Sequence, residues 1–275
     1  MQPPKSKRGR PKSFDNKPSQ NTIQSLDRAL DVLDLLANSG GMTLSQIAAG
    51  LDQSAATIHR VLATLEARDV VETDASTQAW HVGPAAFRLG ASFLRRSSVV
   101  ERSRPVMRDL MEATGETSNL GIENRGNVMF LSQVETHETI RAFFPPGTLS
   151  PMHASGIGKA LLSQFTAARL DQYLRDSERE RFTGKTICDS DALRRELQQI
   201  RDQGFAFDDE ERTQGMRCIA APVLNFYGEA VAGISVSGPT HRMSGAQMTR
   251  ISMLVRQAAL DLSRGLGAQP PQPGG

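Results

Sequence analysis

The chain has 275 residues, which is more than one small domain needs and suits two domains. Hydrophobic residues make up 39% of the chain and charged residues 23%, as in ordinary folded proteins. Aromatic residues make up 5% of the chain, which is too few to indicate stacking on single-stranded nucleic acid. Cys188 and Cys218 lack the spacing of a metal site, so we expect a reduced, cytoplasmic protein. No apolar run approaches the roughly 18 residues of a membrane span and no secretory signal is evident, so we expect no membrane partner.

The positive charge of the chain is concentrated at its N-terminus. Residues 1–20 hold six basic side chains and one acidic side chain, a net charge of +5, whereas the whole chain carries +2. A cationic arm of this kind predicts a polyanionic partner. A solvated, disordered arm without a partner explains the same composition, and composition alone does not separate the two interpretations.

Residues 22–83 show three helical patterns followed by two short strands. Ser25 is the expected cap of the first helix, and Gly40–Gly41 its expected end. Thr43 is expected to cap a second helix and Ser54 a third, with a tight turn between them. Two strand patterns then predict a wing, at residues 70–72 and 79–82. The segment is therefore typical of a winged helix-turn-helix domain, which binds double-stranded DNA.

The rest of the chain predicts a second, larger domain. We assign residues 84–98 to a linker helix and residues 99–265 to the domain, with disordered ends at residues 1–21 and 266–275. A strand-like alternation runs through residues 116–145 and includes Ile140 and Phe143. The later elements are predicted helices at 155–164, 166–175 and 189–203, strands at 217–225 and 229–237, and a helix at 244–264. This order favours an α+β domain with an antiparallel sheet over a βαβ alternation.

Six segments carry a resemblance to a known family. They are Thr22–Leu33, Met42–Ala48, His59–Glu66, Pro151–Ala160, Arg217–Val223 and Ile234–Pro239. In this order and spacing they resemble the IclR family of bacterial transcription regulators over about residues 22–265. The resemblance implies a winged helix-turn-helix joined by a linker helix to a GAF- or profilin-like α/β effector-binding domain with an antiparallel sheet. It also implies a homodimer, or a homotetramer built as a dimer of dimers, on a palindromic operator.

The recognition helix supplies the predicted DNA contacts. They are Ser54, Ala55, Thr57 and Arg60, with His59 as a further candidate. Such regulators often carry a Pro-x-Ser-Thr run at this position, whereas this chain has Ser54-Ala55-Ala56-Thr57. The alanines remove hydrogen-bonding groups, so we expect methyl contacts to bases or a different operator. An ordinary surface arginine at position 60 and a packed histidine at position 59 remain the alternatives.

The basic arm contains a second DNA-binding pattern. Lys7-Arg8-Gly9-Arg10-Pro11-Lys12 resembles an AT-hook, in which arginines lie along a narrow A·T minor groove and glycine allows the backbone to approach it. We therefore predict contacts from Arg8, Gly9 and Arg10 to A·T-rich flanks. Nonspecific attraction to phosphates is the alternative.

Enzyme motifs are weak in this sequence. Ser155-Gly156-Ile157-Gly158-Lys159 resembles a phosphate-binding loop, but the full spacing is missing and Ala160 stands where Ser or Thr is needed. There is no Gly-x-Ser-x-Gly nucleophile elbow, and the histidines lack metal-site spacing. We therefore predict no catalytic residue, no metal and no cofactor.

An effector-binding site has better support. The small residues around Gly156 open a helix whose N-terminal amides favour a carboxylate. In family members that sense glyoxylate or pyruvate, one Asp, one Cys and two Ser line the pocket, and the matching positions are Asp208, Cys218, Ser235 and Ser237. Apolar walls are expected from Met152, Ile157, Ile219 and Ile234, although some of these must face the core. A buried apolar Cys218, satisfied sheet serines and a surface Asp208 are the alternative reading.

The sequence thus predicts a DNA-binding regulator whose operator affinity changes when it binds a small carboxylate, most simply a 2-oxo acid such as glyoxylate. A repressor and an activator are both compatible with the sequence. Two other functions remain open at this point. One is an architectural minor-groove DNA binder, and the other is a small-acid enzyme fused to a DNA-binding arm.

Overall fold

The computed structural model of the chain describes residues 22–96 and 98–268. They form two compact units that divide between Phe93 and Leu94. The predicted basic arm, with its contacts at Arg8, Gly9 and Arg10, lies outside the described residues, as does the predicted tail from residue 269 onward. Among the described helices, none combines the length and the apolar character that a membrane crossing requires.

The N-terminal unit is a winged helix-turn-helix. Its helices are α1 (Gln24–Ala37), α2 (Leu44–Gly50), α3 (Ala55–Glu66) and most of α4 (Pro84–Arg96), the helix after the wing, which continues past Phe93. Its strands are β1 (Met42–Thr43), β2 (Val71–Thr73) and β3 (Ala79–Val82), which form an antiparallel sheet in the order β1-β3-β2. The predicted wing corresponds to β2 and β3, and β1 adds an edge strand that the sequence pattern did not predict.

Side-chain caps set the starts of α2 and α3. The Thr43 hydroxyl accepts a hydrogen bond from the Gln46 amide, and the Gln46 side chain accepts one from the Thr43 amide, which completes a capping box. The Ser54 hydroxyl accepts from the Thr57 amide at 3.2 Å. The predicted cap of α1 is wrong, because the helix already begins at Gln24 and Ser25 lies inside it.

The core of the N-terminal unit comes from one face of each helix. The fully or nearly buried residues are Val32 and Leu36 of α1, Ile47 of α2, Ile58 and Leu62 of α3, and Val71 of β2. Three apolar residues at the start of α1 remain more than half exposed, namely Ile23, Leu26 and Leu30. The unit therefore buries one side of α1 and leaves an apolar stripe on the other.

The C-terminal unit is built on a six-stranded antiparallel sheet. Its strands are β4 (Thr117–Asn124), β5 (Asn127–Val134), β6 (Leu149–Pro151), β7 (Ala206–Asp209), β8 (Met216–Leu224) and β9 (Ala230–Pro239), in the order β6-β5-β4-β9-β8-β7. Its helices are α5 (Ser98–Thr114), α6 (Gly156–Leu162), α7 (Ala167–Asp176), α8 (Ser190–Gln203) and α9 (Gly245–Gly265).

The two faces of this sheet carry different cores. Residues of α5 and α9 pack on one face against Leu120, Ile219, Ile234 and Val236. The helices α6, α7 and α8 pack on the other face, against a second cluster that includes Phe130 and Ala220. Because neighbouring residues of a strand point to opposite faces, residues at positions 218, 220, 235 and 237 face the side that α6 covers.

One strand prediction in this unit is wrong, and two of its strands were not predicted. Ile140 and Phe143 were expected in a strand, but β5 ends at Val134 and both side chains are exposed in the loop that follows. The edge strands β6 and β7 were not predicted. Each has only three or four residues, and Ala206-Phe207-Asp208-Asp209 lacks the run of β-branched residues that marks most strands.

A buried lysine joins α6 to β7 and α8. The Lys159 ammonium group has no exposed surface, and it donates hydrogen bonds to the carboxylates of Glu211 at 2.6 Å and Glu196 at 2.9 Å. Its third partner is the Phe207 carbonyl, at 2.5 Å. All three N–H groups are thus satisfied, which is what a buried ammonium requires.

We expect Lys159→Met to destabilise the C-terminal unit by about 3–5 kcal/mol, because it leaves the buried Glu211 carboxylate without its cation. The measurement is denaturant unfolding at pH 8. Lys185→Met is the matched control, because Lys185 also bonds two carboxylates but its side chain is 48% exposed. Such an exposed pair contributes about 0–1 kcal/mol. Equal losses in the two variants would contradict the role given to Lys159.

Candidate functional site

The helix α3 presents the candidate DNA-contacting surface. Ile58 and Leu62 fix its inner face in the core, so His59 and Arg60 are exposed on the outer side. Ala55 is exposed in the first turn, and Thr57 is half-buried. The Arg60 side chain makes no ion pair within the described part of the chain, so its guanidinium is available to a phosphate or a base.

Ser54 and Thr57 have a local role as well. Their hydroxyl oxygens lie 2.9 Å apart, and Ser54 caps the helix through the Thr57 amide. Any contact from these hydroxyls to DNA would be made in addition to the hydrogen bond that caps the helix.

Ala56, which the sequence analysis did not select as a contact, is exposed one turn before Arg60 and so lies on the same helix face.

All six predicted effector residues line one small cavity of the C-terminal unit. They are Gly156 and Ile157 at the start of α6, Asp208 of β7, Cys218 of β8, and Ser235 and Ser237 of β9. Its free volume is about 30 Å³. A single water molecule needs roughly 10–15 Å³ on this measure, so the cavity suits a ligand of few atoms.

Strand pairing brings the polar residues together. Asp208 pairs with Cys218 across β7 and β8, and Cys218 pairs with Ser237 across β8 and β9. Ser235 lies two residues from Ser237 and shares its face. The alignment of three neighbouring strands thus places a carboxyl, a thiol and two hydroxyl groups side by side.

Asn119 of β4 is a functional candidate that the sequence analysis missed. It pairs with Ser235, is fully buried, and its amide donates to the hydroxyls of Ser235 at 3.4 Å and Ser237 at 3.3 Å. The amide oxygen of Asn119 accepts from Gln133 at 2.8 Å, which fixes the orientation of the amide. No local signal marked Asn119, because its partners Ser235, Ser237 and Gln133 lie on other strands.

Gly156 permits close packing of α6 against the sheet. A Cβ atom at this position would lie 2.7 Å from the Cys218 Sγ, which is closer than two such atoms can approach. The helix therefore begins directly above the thiol, with the Ser155 hydroxyl accepting from the Gly158 amide at 3.4 Å as its cap. Any side chain at position 156 would push the two walls of the cavity apart.

The apolar walls differ in part from the prediction. Ile157 lines the cavity, but Ile219 and Ile234 face the opposite side of the sheet and belong to the core beneath α5 and α9. Met152 packs in the core on the cavity side without lining the cavity. The other walls are Phe130 and Phe144, whose rings stack with centroids 4.7 Å apart.

Burial controls the protonation of the cavity. It raises the pKa of Asp208 to about 6, although the amide of Glu211 donates to this carboxyl at 2.8 Å. Burial also raises the pKa of Glu211 to about 7, and that of the Cys218 thiol to about 12 with help from the nearby Asp208 charge. Burial alone would lower the pKa of Lys159, but the carboxylates of Glu211 and Glu196 outweigh it and raise the pKa. The cavity therefore contains a neutral thiol, which is a poor nucleophile but a hydrogen-bond donor.

A larger cleft of about 650 Å³ lies elsewhere on this unit, between Tyr173, Arg169 and Glu123. Its ionic groups include Arg169 and Glu123, which already pair with each other at 3.0 Å. It contains none of the residues that carried the effector prediction. The smaller cavity remains the candidate site, because its polar groups are buried and converge.

The raised carboxyl pKa values predict a dependence of stability on pH. The folded state holds these protons more tightly than the unfolded state, so stability falls as pH rises from about 4 through the folded pKa values of about 6 and about 7. Asp208→Asn removes one of the two groups. We expect it to reduce the loss of stability between pH 5 and pH 8 by on the order of 1 kcal/mol.

Thermal unfolding at the two pH values measures this difference. Asp209→Asn is the control, because the pKa of Asp209 is lowered by hydrogen bonds from Lys185 and Arg217 that outweigh its burial. That carboxyl stays ionised throughout the interval, so its removal should leave the slope unchanged. An unaltered slope in Asp208→Asn would contradict the assignment of a buried proton to Asp208.

Comparisons with known proteins agree with this architecture. Residues 25–75 match the IclR helix-turn-helix domain, and residues 91–264 match the family described as "Bacterial transcriptional regulator IclR C-terminal". The HTH-type transcriptional regulator BhcR of Paracoccus denitrificans is 61% identical over 244 residues, covering 89% of this chain and 88% of BhcR. The HTH-type transcriptional repressor AllR of Escherichia coli K12 is 35% identical over 262 residues, covering 95% of this chain and 96% of AllR.

A solved structure extends the agreement to three dimensions. The crystal structure of Thermotoga maritima IclR has a TM-score of 0.76 and 27% sequence identity, and the match covers 89% of this chain and 99% of that one. The family and these relatives are transcription regulators rather than enzymes, which removes the enzyme alternative. The winged helix-turn-helix and the antiparallel C-terminal domain each match a model of this family, which establishes that the chain belongs to the IclR family of DNA-binding transcriptional regulators.

Proposed function

We propose that this regulator is a cytoplasmic repressor whose operator affinity changes when its C-terminal cavity binds a small 2-oxo acid, with glyoxylate as the simplest candidate. The observation that carries the proposal is the convergence of six predicted residues on one buried cavity of about 30 Å³. The relative AllR is named a repressor, and we extend that sign of regulation to this chain.

The chemistry of the cavity supports a small oxo acid. A ligand carbonyl or its hydrate needs hydroxyl and thiol donors, and Ser235, Ser237 and the neutral Cys218 supply them. The protonated form of Asp208 adds another donor below about pH 6, because its pKa is raised to about 6. A benzoate ring would have to displace the stacked Phe130 and Phe144.

We further propose that two copies bind a palindromic operator through paired α3 helices. The exposed apolar stripe of Ile23, Leu26 and Leu30 on α1, together with exposed Phe87 and Leu89 on α4, supports a homodimer. Such residues are costly to leave in water, and a second copy is the occupant that a two-fold DNA site requires. A homotetramer would follow if two such dimers associate.

Charge distribution supports a role of the basic arm in DNA binding. Residues 22–83 hold eight acidic and three basic side chains, a net charge of −5, and the wing between Val71 and Val82 contains no Lys or Arg. A domain of that charge gains little from phosphate contacts. We therefore assign most of the electrostatic affinity to residues 1–20, which carry +5, and place the Arg8-Gly9-Arg10 segment in an A·T-rich minor groove.

Arg60→Ala should weaken operator binding by about 1–3 kcal/mol, because it removes an exposed cation from the recognition helix. The measurement is a fluorescence titration of operator DNA at fixed salt. Arg264→Ala is the control, because Arg264 is an exposed arginine of the effector domain. Unchanged binding in Arg60→Ala would contradict a DNA contact at this position.

Deletion of residues 1–20 should flatten the dependence of operator affinity on salt, because about one counterion is released for each phosphate that a basic residue neutralises. Affinity should fall most for operators with A·T-rich flanks. The same salt slope in the full chain and the deletion variant would assign the arm no part in binding.

An architectural DNA binder, the alternative function, would show neither a discrete footprint nor a response to an effector.

Substitution of the cavity residues should weaken the effector response and spare DNA binding. Ser235→Ala, Ser237→Ala and Cys218→Ala each remove a group that the bound ligand would use, which leaves a buried polar atom of the ligand unsatisfied at about 1–3 kcal/mol. Calorimetry with glyoxylate, pyruvate and benzoate measures ligand affinity. Ser118→Ala is the matched control, because this buried β4 serine pairs with Val236 on the opposite face and its hydroxyl has no partner among the described residues. Tight benzoate binding without glyoxylate binding would refute the ligand class.

A further inference from the structure

A long segment without helix or strand contributes one wall of the effector cavity. It connects β5 to β6 over residues 135–148, and we call it the roof segment. Its Phe144 lines the cavity and stacks on Phe130 of β5, with ring centroids 4.7 Å apart and ring planes at 9°. Connections of this length are uncommon in compact domains, and where they are ordered they often have a function.

The cavity has to enlarge when it binds its proposed ligand. Its free volume of about 30 Å³ corresponds to about two or three water molecules, which is less room than glyoxylate requires. Most of its walls belong to the sheet and to the start of α6, where strand pairing and helical hydrogen bonds fix the backbone. The walls that lie in loops are therefore the ones that can move.

Two loop residues line the cavity, and their loops are held differently. Arg212 follows Glu211, whose carbonyl accepts a hydrogen bond from the Thr186 hydroxyl at 2.6 Å. In the roof segment, by contrast, residues 137–146 have one hydrogen bond to another element within the described part of the chain. In this bond the Arg242 guanidinium donates to the Ile140 carbonyl at 2.8 Å.

The remaining bonds of the roof segment lie at its ends or within it. The Thr136 hydroxyl donates to the Gly115 carbonyl at 2.7 Å, and the Gly147 amide donates to the Phe130 carbonyl at 2.8 Å. The ion pair of Arg141 with Glu135, at 2.6 Å, joins two residues of the segment itself. The ends are thus anchored, and the part that carries Phe144 depends on Arg242 for its polar attachment.

Arg242 is itself held by a buried carboxylate. It lies between β9 and α9, and its guanidinium donates to both carboxylate oxygens of Glu116, at 2.5 Å and 2.8 Å. The Glu116 side chain is 3% exposed and lies directly before β4. A Cβ atom at position 238 would collide with this carboxylate, so Gly238 leaves room for it next to Ser237 of the cavity. The same Nη2 group of Arg242 bonds Glu116 and Ile140, so the planar guanidinium links the sheet to the roof segment.

We propose that Arg242, held by Glu116, is the positioning residue that keeps Phe144 over the effector cavity, and that breaking its bond to Ile140 opens the cavity to the ligand. The inference rests on the proposed function for the identity of the ligand. Ile140 and Phe143 are 62% and 63% exposed, so the segment can move without taking these two side chains out of a core. Opening therefore requires the loss of one hydrogen bond and of the contact between Phe144 and Phe130.

Modification of Cys218 measures this opening without any ligand, because its thiol lies in the cavity. The full chain is treated with iodoacetamide, a small uncharged reagent, and modification of each cysteine is followed by mass spectrometry. In Arg242→Gln we expect Cys218 to be modified about tenfold faster, because one charge-assisted hydrogen bond no longer holds the roof segment. Cys188, the other cysteine of the chain, does not line the cavity and is the internal reference. Arg141→Gln is the matched control, because the ion pair of Arg141 stays within the roof segment.

Two further variants separate the roof from the ion pair. Phe144→Ala should also accelerate modification of Cys218, because it removes the ring from the cavity wall. Phe143→Ala is its control, since the neighbouring ring is 63% exposed and does not line the cavity. The double variant Glu116→Gln/Arg242→Gln leaves no buried carboxylate unpaired, and it should accelerate modification as Arg242→Gln does.

The outcomes separate this inference from the proposed function. An unchanged rate at Cys218 in either Arg242→Gln or Phe144→Ala would overturn the role of the roof segment. Equal acceleration at Cys188 and Cys218, in Arg242→Gln and in the double variant, would assign Arg242 to overall stability and would also overturn it. Glyoxylate or pyruvate should slow modification of Cys218 in the unmodified chain. If neither does, the proposed effector class is refuted, and the rates of the variants still decide the role of Arg242.

Discussion

The charge of Lys159 has to be neutralised inside the protein, and this constraint organises the C-terminal unit. A fully buried ammonium group is stable only when carboxylates and carbonyls surround it, and here they come from α8, from β7 and from the loop after β7. The hydrogen bonds from Lys159 to the Phe207 carbonyl and to Glu211 hold the short edge strand β7 in register. They thereby position Asp208, whose carboxyl faces the cavity next to Cys218.

The cavity combines groups with opposite requirements. Burial favours the neutral forms of Asp208, Glu211 and the Cys218 thiol. The positive charge of Lys159 acts against this effect at the two carboxyl groups, because it lowers their pKa values. The result is a site rich in hydrogen-bond donors, in which the pKa values of the two carboxyl groups lie at about 6 and about 7. An anionic ligand can enter such a site at lower electrostatic cost than a site with two fixed negative charges.

Much of the fold follows from local patterns. The capping box at Thr43 and the cap at Ser54 set the two helices of the DNA-binding motif, because each involves residues three positions apart. Alternation in β8 and β9 predicted the shared face of Ser235 and Ser237. Edge strands were less predictable: β7 is held by its pairing with β8 and by Lys159, and its own sequence has low strand propensity.

The sequence by itself determined the family and the two-domain order through its motifs, and the family resemblance gave the four polar positions of the cavity. The shared face of Ser235 and Ser237 followed from the period of two along one strand. The tertiary structure alone decided which other side chains join them. Asn119 is separated from Ser235 by 116 residues, and Gln133, which holds the Asn119 amide, lies on another strand. The contacts that fix such residues are made between distant segments, so no local pattern records them, and the pairing of strands and loops in three dimensions determines them.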